Sequence, residues 1–343
     1  MVDPWLLENL VCPIDHQRLT PAGDQLSCAA GHAYPIVDDV PVMLIAGIDQ
    51  TMDLATASLG RARGTLVDER APELHLESIG ISDEEKRGVL ELARRGSNID
   101  PVVAHLVAAT NGLLYRHLIG TLDRYPIPEI PLPPGNGRWL LDVGCSWGRW
   151  TIAAQQSGYH AVGIDPSLGA IIAARRTARQ LGVATRYVVG DARHLPFADG
   201  RFDAVYSYSV LQHLSRADAA AAVGEAGRVL TEGGVAKVQM PTRFGVRCLF
   251  HQARRGFRDG RGFEVRYWSL PALHRLFSER IGGSRVEVDC YFGIGLQRAD
   301  APLMTPGLKR ILGASEWLKR VSGHFRPLTW VADSVFVEAA RAR

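Results

Sequence analysis

At 343 residues, with 46% hydrophobic and 22% charged side chains, the chain has the composition of a folded protein with room for one large domain and a small one, which excludes intrinsic disorder. No apolar run approaches the roughly 20 residues needed to cross a bilayer, because the most apolar stretch, Val102–Leu114, is interrupted by His105 and Asn111. A net charge of +3 conceals an acidic start (seven acidic side chains against Arg18 alone in residues 1–50) and a basic end (18 basic against 9 acidic in residues 243–343), a split able to steer an anionic substrate.

Residues 1–46 read as a small first unit: Cys12-Pro13, then Cys28 and His32, then Tyr34-Pro35-Ile36 leading into Val40–Ile45. The next segment, to about residue 80, is weakly patterned and predicts no element. Ser82 with Glu85 makes a capping box, in which each side chain satisfies the other's free backbone N–H, so a helix to about Arg95 follows. A second helix is predicted from Pro101 to Tyr125, with proline in the first turn where its missing N–H costs nothing. Pro126, Pro128, Pro131, Pro133 and Pro134, closed by Gly135, make a stiff linker. From Arg138 onward short apolar runs alternate with helical stretches. Strands are predicted at Trp139–Val143, Tyr159–Ile164, Tyr187–Val189, Ala204–Tyr208 and Val235–Met240. Helices lie between them: Arg149–Ser157, one capped by Ser167 and ending at Gly182, and one capped by Ser215. A helix near Ser269–Arg280 and strands at Arg285–Tyr291 and Ser334–Ala339 complete the chain. The alternation predicts an α/β fold, a doubly wound, mostly parallel sheet covered on both faces. The expected domains are 1–46, a helical and Pro-rich segment 47–136, and 137–343 with insertions at 243–266 and 300–330.

The strongest chemical signal is Leu140-Leu141-Asp142-Val143-Gly144-Cys145-Ser146-Trp147-Gly148-Arg149, where a strand turns into a helix. Small residues there let backbone approach a ligand, and the N–H groups of the helix start attract an anion. A phosphate-cradling loop needs a Gly-Lys-Ser/Thr ending, which is missing. A dinucleotide loop needs glycine two residues after Gly144 and a small residue three later, and these positions hold Ser146 and Arg149. Asp165 ends the next strand, 21 residues after Gly144, where a carboxylate grips ribose hydroxyls. Gly190-Asp191-Ala192 ends the third.

These landmarks, with Leu195–Val205 and Arg228–Gly234, resemble the class I S-adenosylmethionine-dependent methyltransferases over residues 137–240. Asp142, Gly144 and Gly148 match the family's first motif, with Ser146 in place of its middle glycine. The resemblance implies a seven-stranded Rossmann-like methyltransferase sheet. It implies a cofactor site of Asp142, Gly144, Cys145, Ser146, Trp147, Gly148, Asp165, Pro166, Asp191, Ala192 and Ser207. Asp191 would accept from the adenine amine while the Ala192 N–H meets a ring nitrogen. Trp147 and Trp150 could cover the cofactor or contact its cation, with core packing the better reading for Trp150. His213, just beyond the fourth strand, is the candidate general base, set against a packing role that suits catalysis by proximity.

The first 46 residues resemble the zinc-ribbon domain of the tRNA-methyltransferase activator family. Cys28-x3-His32 fits one knuckle, but the other departs, with Asp15 where a second cysteine belongs and His16 beside it. Cys12, Asp15 or His16, Cys28 and His32 are the candidate zinc ligands, against a metal-free ribbon held by its apolar core. The seven arginines between Arg243 and Arg266 read either as a solvated loop or as a grip on an anionic acceptor. Leu308, Ile311, Leu312, Trp317, Leu318 and Val321 make a helical stripe suited to packing, or to peripheral contact with a membrane. The expected function is methyl transfer from S-adenosyl-L-methionine to a hydroxyl of a small molecule, a sugar or a lipid-linked glycan precursor. RNA-base methylation and a non-catalytic cofactor-binding adaptor are the alternatives. No Asn/Asp-Pro-Pro-aromatic element follows the fourth strand, which the resemblance turns against DNA-adenine or glutamine methylation. Five cysteines without disulfide-like spacing suit a reducing compartment. The start, with Asp3 and Glu8 and no basic region, does not read as a signal peptide, so the expected location is the cytoplasm.

Overall fold

Asp3 accepts a hydrogen bond from the Trp5 N–H (2.9 Å) and Pro4 fills the first turn, which starts helix α1 (Pro4–Asn9). The structure, a computed structural model, describes residues 1–48, 53–111, 113–293 and 297–342. Four short strands follow α1: β1 (Thr20–Ala22), β2 (Gln25–Ser27), β3 (Ala33–Val37) and β4 (Val40–Pro41), an antiparallel sheet in that order. Asp38 and Asp39 take positive φ (47° and 65°) between β3 and β4, the backbone twist that a two-residue hairpin loop requires.

The weakly patterned stretch that predicted no element holds helix α2 (Leu54–Ala62) and two 3-10 turns, Pro72–Leu74 and Leu76–Ser78. Helix α3 (Asp83–Arg95) starts with the expected box: the Glu85 N–H donates to the Ser82 Oγ (3.2 Å) and the Ser82 N–H to the Glu85 Oε2 (2.8 Å). Helix α4 (Pro101–Asn111) is shorter than the predicted Pro101–Tyr125. It stops at Asn111, and a separate 3-10 stretch covers Leu113–Leu118. Asparagine followed by glycine is the poorest helix-forming pair in that stretch. Gly112 itself, and residues 49–52, lie outside the described residues.

The chain divides into two units, Met1–Arg201 and Phe202–Arg343. In the first, β5 (Trp139–Val143), α5 (Arg149–Gln156), β6 (His160–Asp165), α6 (Leu168–Gln180) and β7 (Arg186–Val189) give three parallel strands in the order β5-β6-β7. Ser167 caps α6, accepting from the Ala170 N–H at 3.1 Å. The N-terminal sheet is fastened to this part by backbone hydrogen bonds. Val42 bridges Val189 in parallel, and the Met43 N–H donates to the Val189 carbonyl at 2.7 Å. Trp5 stacks on Trp139 with ring centroids 3.9 Å apart. Val40, Val42 and Leu44 join Leu59, Ile171, Tyr187 and Val189 in one buried cluster.

In the second unit, β8 (Phe202–Ser207) and β9 (Leu230–Pro241) are parallel, with α7 (Arg216–Val229) between them in the chain. Helices α8 (Val246–Arg254) and α9 (Leu270–Arg280), strand β10 (Ser284–Cys290), helix α10 (Pro306–Ser322) and strand β11 (Ser334–Ala340) follow. Strand β11 lies antiparallel between β9 and β10. Strands β5 to β11 make the mixed, mostly parallel seven-stranded sheet that the sequence predicts. In α10, Leu312 and Ser315 are buried while Ile311 and Trp317 are exposed, so the predicted stripe packs on one flank only. Among the described residues no helix is long and apolar enough to cross a membrane.

Candidate cofactor and metal sites

The parallel register sets Val143 opposite Ile164 and Asp165 opposite Val189, so the loops after β5, β6 and β7 open at one edge of the first unit. Carboxyl ends of parallel strands are where such sheets bind ligands. The loop after β5 turns through three left-handed residues: Gly144 (φ 76°), Ser146 (φ 47°) and Gly148 (φ 80°). The Gly144 and Cys145 N–H groups both donate to the Ile164 carbonyl (2.8 and 3.1 Å). An L-residue at Ser146 costs ~1 kcal/mol. Its N–H recovers a hydrogen bond to the Asp165 Oδ2 at 3.0 Å. Gly148 has no substitute, since a Cβ there would lie 2.4 Å from the Tyr187 hydroxyl.

Each aspartate is held differently. Asp165 accepts from the Ser167 N–H (2.9 Å, Oδ1) as well as from Ser146; burial still pushes its carboxyl up to about 6, against the pull of those two donors. Asp142 is 1% exposed and accepts from the Thr151 Oγ1 at 2.7 Å, which ties β5 to α5. Burial first, and then the Asp165 charge, raise it to about 7. Asp191 is gripped by Arg193, whose Nε lies 3.0 Å from Oδ1 and whose Nη2 lies 2.6 Å from Oδ2. The Arg193 N–H also donates to Oδ1 at 2.8 Å. Beside it, the Ala192 N–H has no hydrogen-bond partner among the described residues.

Pro166 is held from behind: its carbonyl accepts from the Ser58 Oγ at 2.7 Å, and Ser58 in turn accepts from the Leu168 N–H at 2.9 Å. The Ser167 Oγ donates to the Ser78 carbonyl (2.5 Å), and the Ser78 Oγ accepts from the Gly169 N–H (2.9 Å). A Cβ at Gly169 would stand 2.5 Å from the His75 carbonyl, so only glycine permits this approach. Cys145 is buried, with its Sγ in the space a Cβ on Gly163 would take. Trp147 is fully enclosed in the cluster formed by Val89, Leu90, Val102, Leu106, Ala170 and Ala173. Its ring is a packing element rather than a cover for a cation. Trp150 is likewise buried, with the Arg149 guanidinium over it.

In the second unit, Ser207 ends β8 and is buried. His213 stacks face to face on Phe263, with centroids 3.8 Å apart and 4° between planes. The Phe263 carbonyl, 2.7 Å from Nδ1, assigns the proton to that nitrogen; the Gln212 amide at 3.1 Å then donates to Nε2. Burial pulls the imidazole down to about 4. Sequence reasoning missed a polar network nearby in this unit. Asp289, buried, accepts from the Ser334 Oγ (2.7 Å) and the Tyr208 hydroxyl (3.2 Å), and the Gln239 Oε1 accepts from the Ser209 N–H (3.0 Å). It also missed Arg193, whose place two residues after Asp191 was the available signal, and Thr151, which reaches Asp142 from the first turn of α5.

The small antiparallel sheet of the first unit carries a second cluster. Cys12, Asp15, Cys28 and His32 each offer one ligand atom, and all four atoms lie within 4.8 Å of one another. His32 Nδ1 is 3.4 Å from Cys12 Sγ, 3.3 Å from Cys28 Sγ and 3.2 Å from Asp15 Oδ2. Asp15, not His16, completes the set; His16 (φ 56°) is exposed and outside it.

Residues 140–234 match the family model described as a methyltransferase domain. A ubiquinone biosynthesis O-methyltransferase of Azorhizobium caulinodans is 34% identical over 104 residues, covering 30% of this chain and 40% of that protein. An uncharacterized methyltransferase of Synechocystis sp. is 33% identical over 120 residues (34% of this chain, 54% of the relative). A 2-methyl-6-phytyl-1,4-hydroquinone methyltransferase from the same organism is 30% identical over 149 residues (43% and 41%). Among solved structures, the Bacillus subtilis protein YcgJ overlaps 61% of this chain and 94% of its own at 20% identity, with a TM-score of 0.42. The methyltransferase-domain match covers the glycine loop, Asp165 and Asp191. Ahead of that domain stands a small antiparallel sheet holding a Cys/His cluster. The chain spans about half, or less, of the length of these curated relatives.

Proposed function

We propose that this chain transfers a methyl group from S-adenosylmethionine to a hydroxyl of a small-molecule acceptor, a sugar or lipid-linked glycan precursor included. Support comes first from the two carboxylates set at adjacent strand ends. Asp165 is fixed by two backbone N–H groups to meet a ribose, and Asp191 is fixed by Arg193 to meet an adenine, beside the Ala192 N–H, which has no partner among the described residues. Relatives named as O-methyltransferases include one of ubiquinone biosynthesis and one named for malonyl-[acyl-carrier protein].

The cofactor supplies a methyl group already activated by its sulfonium. The acceptor oxygen would take the methyl as the C–S electron pair returns to sulfur, and the hydroxyl proton would pass to water. What the protein adds is alignment, worth ~7–11 kcal/mol when the geometry is near attack. The left-handed loop 144–148 and the anchored turn 165–169 arrive in fixed geometry, so little ordering remains to be done on binding. Asp142 acts through that loop as a positioning residue. His213 is a weak base with both ring nitrogens already engaged, so proximity carries the reaction and the imidazole positions its neighbours. His213→Asn should lower kcat by less than about tenfold, whereas a true general base is worth 10²–10⁴-fold.

The test is transfer of labelled methyl from S-adenosylmethionine to cell extract separated into small metabolites, lipids and RNA. Label is expected in the small-molecule or lipid fraction. Label confined to RNA overturns the acceptor class, and no transfer alongside tight cofactor binding points to an adaptor.

A further inference from the structure

We propose that Cys12, Asp15, Cys28 and His32 bind one zinc ion, and that this ion fastens the segment after Asp191 and thereby strengthens cofactor binding. The second half rests on the cofactor reading above. The first does not.

Donor chemistry and spacing both fit. Bond lengths of ~2.3 Å to sulfur and ~2.0–2.1 Å to nitrogen or oxygen put the ligand atoms of a tetrahedral zinc roughly 3.3–3.6 Å apart for unlike pairs. Four of the six separations are 3.4 Å (Cys12 Sγ to His32 Nδ1), 3.3 Å (Cys28 Sγ to His32 Nδ1), 3.6 Å (Cys28 Sγ to Asp15 Oδ2) and 3.2 Å (His32 Nδ1 to Asp15 Oδ2), and all six lie within 4.8 Å. Two backbone turns present them. The His16 N–H closes on the Cys12 carbonyl (2.8 Å), and the Gly31 N–H closes on the Cys28 carbonyl (3.0 Å). The Tyr34 hydroxyl, 3.1 Å from Cys12 Sγ, is the outer hydrogen bond that orients a ligand. Among the described residues no lysine or arginine pairs with any of the four. Two cysteine sulfurs, a carboxylate and an imidazole therefore converge with no lysine or arginine among them, which is the donor set of a metal ion. With Asp15 in a place that thiolate usually fills, the site holds zinc less tightly than an all-sulfur one.

The coupling follows from what Cys12 is attached to. Immediately before it, the Val11 N–H donates to the Pro196 carbonyl and the Asn9 carbonyl accepts from the Ala198 N–H, both at 3.0 Å. Leu10 and Phe197, the bridged pair between them, are 1% and 0% exposed. Asp191 thus begins a short loop whose far end is tied to the residues leading into the first knuckle. Releasing the ion frees Cys12 and Asp15, loosens that tie and leaves Asp191 on a less ordered loop.

The experiment uses the full chain, purified without chelator. Elemental analysis is expected to find one zinc per chain, and Co²⁺ exchanged into the site should show thiolate-to-cobalt charge-transfer absorption. Asp15→Ala should lose zinc, and Asp15→Cys should bind it more tightly, by about tenfold or more. S-adenosylhomocysteine, titrated calorimetrically into zinc-loaded and zinc-stripped protein, should bind the stripped form about fivefold more weakly. Absence of zinc together with absence of the cobalt spectrum overturns the site, whatever S-adenosylhomocysteine does. One zinc per chain with equal S-adenosylhomocysteine affinity in both forms overturns the coupling alone. Failure of the loaded protein to bind S-adenosylhomocysteine overturns the cofactor reading and the coupling, and leaves the metal assignment standing on its zinc and cobalt results. Should Asp15→Ala not fold, zinc and cobalt binding by the wild type and by Asp15→Cys still decide the matter.

Discussion

The first unit gathers anionic groups in two places, and the two are built on opposite principles. At the strand ends, Asp165 is answered by the Ser146 and Ser167 N–H groups and Asp191 by the Arg193 guanidinium. In the N-terminal sheet, Cys12, Asp15, Cys28 and His32 face one another, with only neutral outer partners, the Gln17 N–H on Asp15 (3.0 Å) and the Tyr34 hydroxyl on Cys12 (3.1 Å). A cluster whose charge the protein balances is complete after folding and waits for a neutral or cationic ligand. A cluster without such balance calls for an ion of its own. On the readings proposed above, the difference sorts the two sites by what each would take, a nucleoside at one and a metal at the other.

The comparison breaks most visibly at Gly148. Gly148→Ala puts a methyl against the Tyr187 hydroxyl at positive φ. The loss of stability should be about 2–3 kcal/mol in urea denaturation, together with the loss of S-adenosylhomocysteine binding. An unchanged midpoint would mean the loop is not packed as described. Arg193→Ala converts the first kind of cluster into the second by leaving Asp191 uncompensated. Affinity for S-adenosylhomocysteine should then fall on the order of tenfold, while zinc content stays the same. An equal affinity would show that Arg193 does not set the carboxylate.

A smaller effect separates Asp142 and Asp165 from an ordinary exposed carboxylate. Burial raises their carboxyls to about 7 and about 6, above the ~4 of an unfolded chain. Their share of stability is therefore fully present below about pH 4 and is lost as pH rises through 6 and 7. The His213 imidazole, pulled down to about 4, works in the opposite direction over the same range, so the carboxyl share is read as a difference: between pH 5 and pH 8, Asp142→Asn should lose less melting temperature than the wild type. A slope identical in wild type and variant would contradict the burial of Asp142.

What the sequence made legible was whatever is settled within a few residues. Ser82–Glu85, Ser167, Ser215 and Ser269 announce helix starts because a cap bonds only its own first turn. The strand-then-small-residue rhythm placed Asp142, Asp165 and Asp191 because it is set by sheet geometry. What stayed hidden depends on distant partners. The docking of Ser58 and Ser78 against residues 166–169 joins positions about ninety or more apart, so no local pattern betrays it. Trp147 reads as a ligand cover beside a glycine loop, yet helices α3, α4 and α6 enclose it. The choice of Asp15 over His16 is made by backbone direction in one turn, which spacing leaves open.

The central claim is that the edge formed by Asp165, Asp191 and the 144–148 loop holds a sulfonium nucleoside, and its most direct test is calorimetric titration of S-adenosylhomocysteine into the wild type and Ser146→Arg. The wild type should bind with one-to-one stoichiometry, and the variant, whose side chain fills the loop, should show no binding. Equal affinity in the two proteins would contradict the claim.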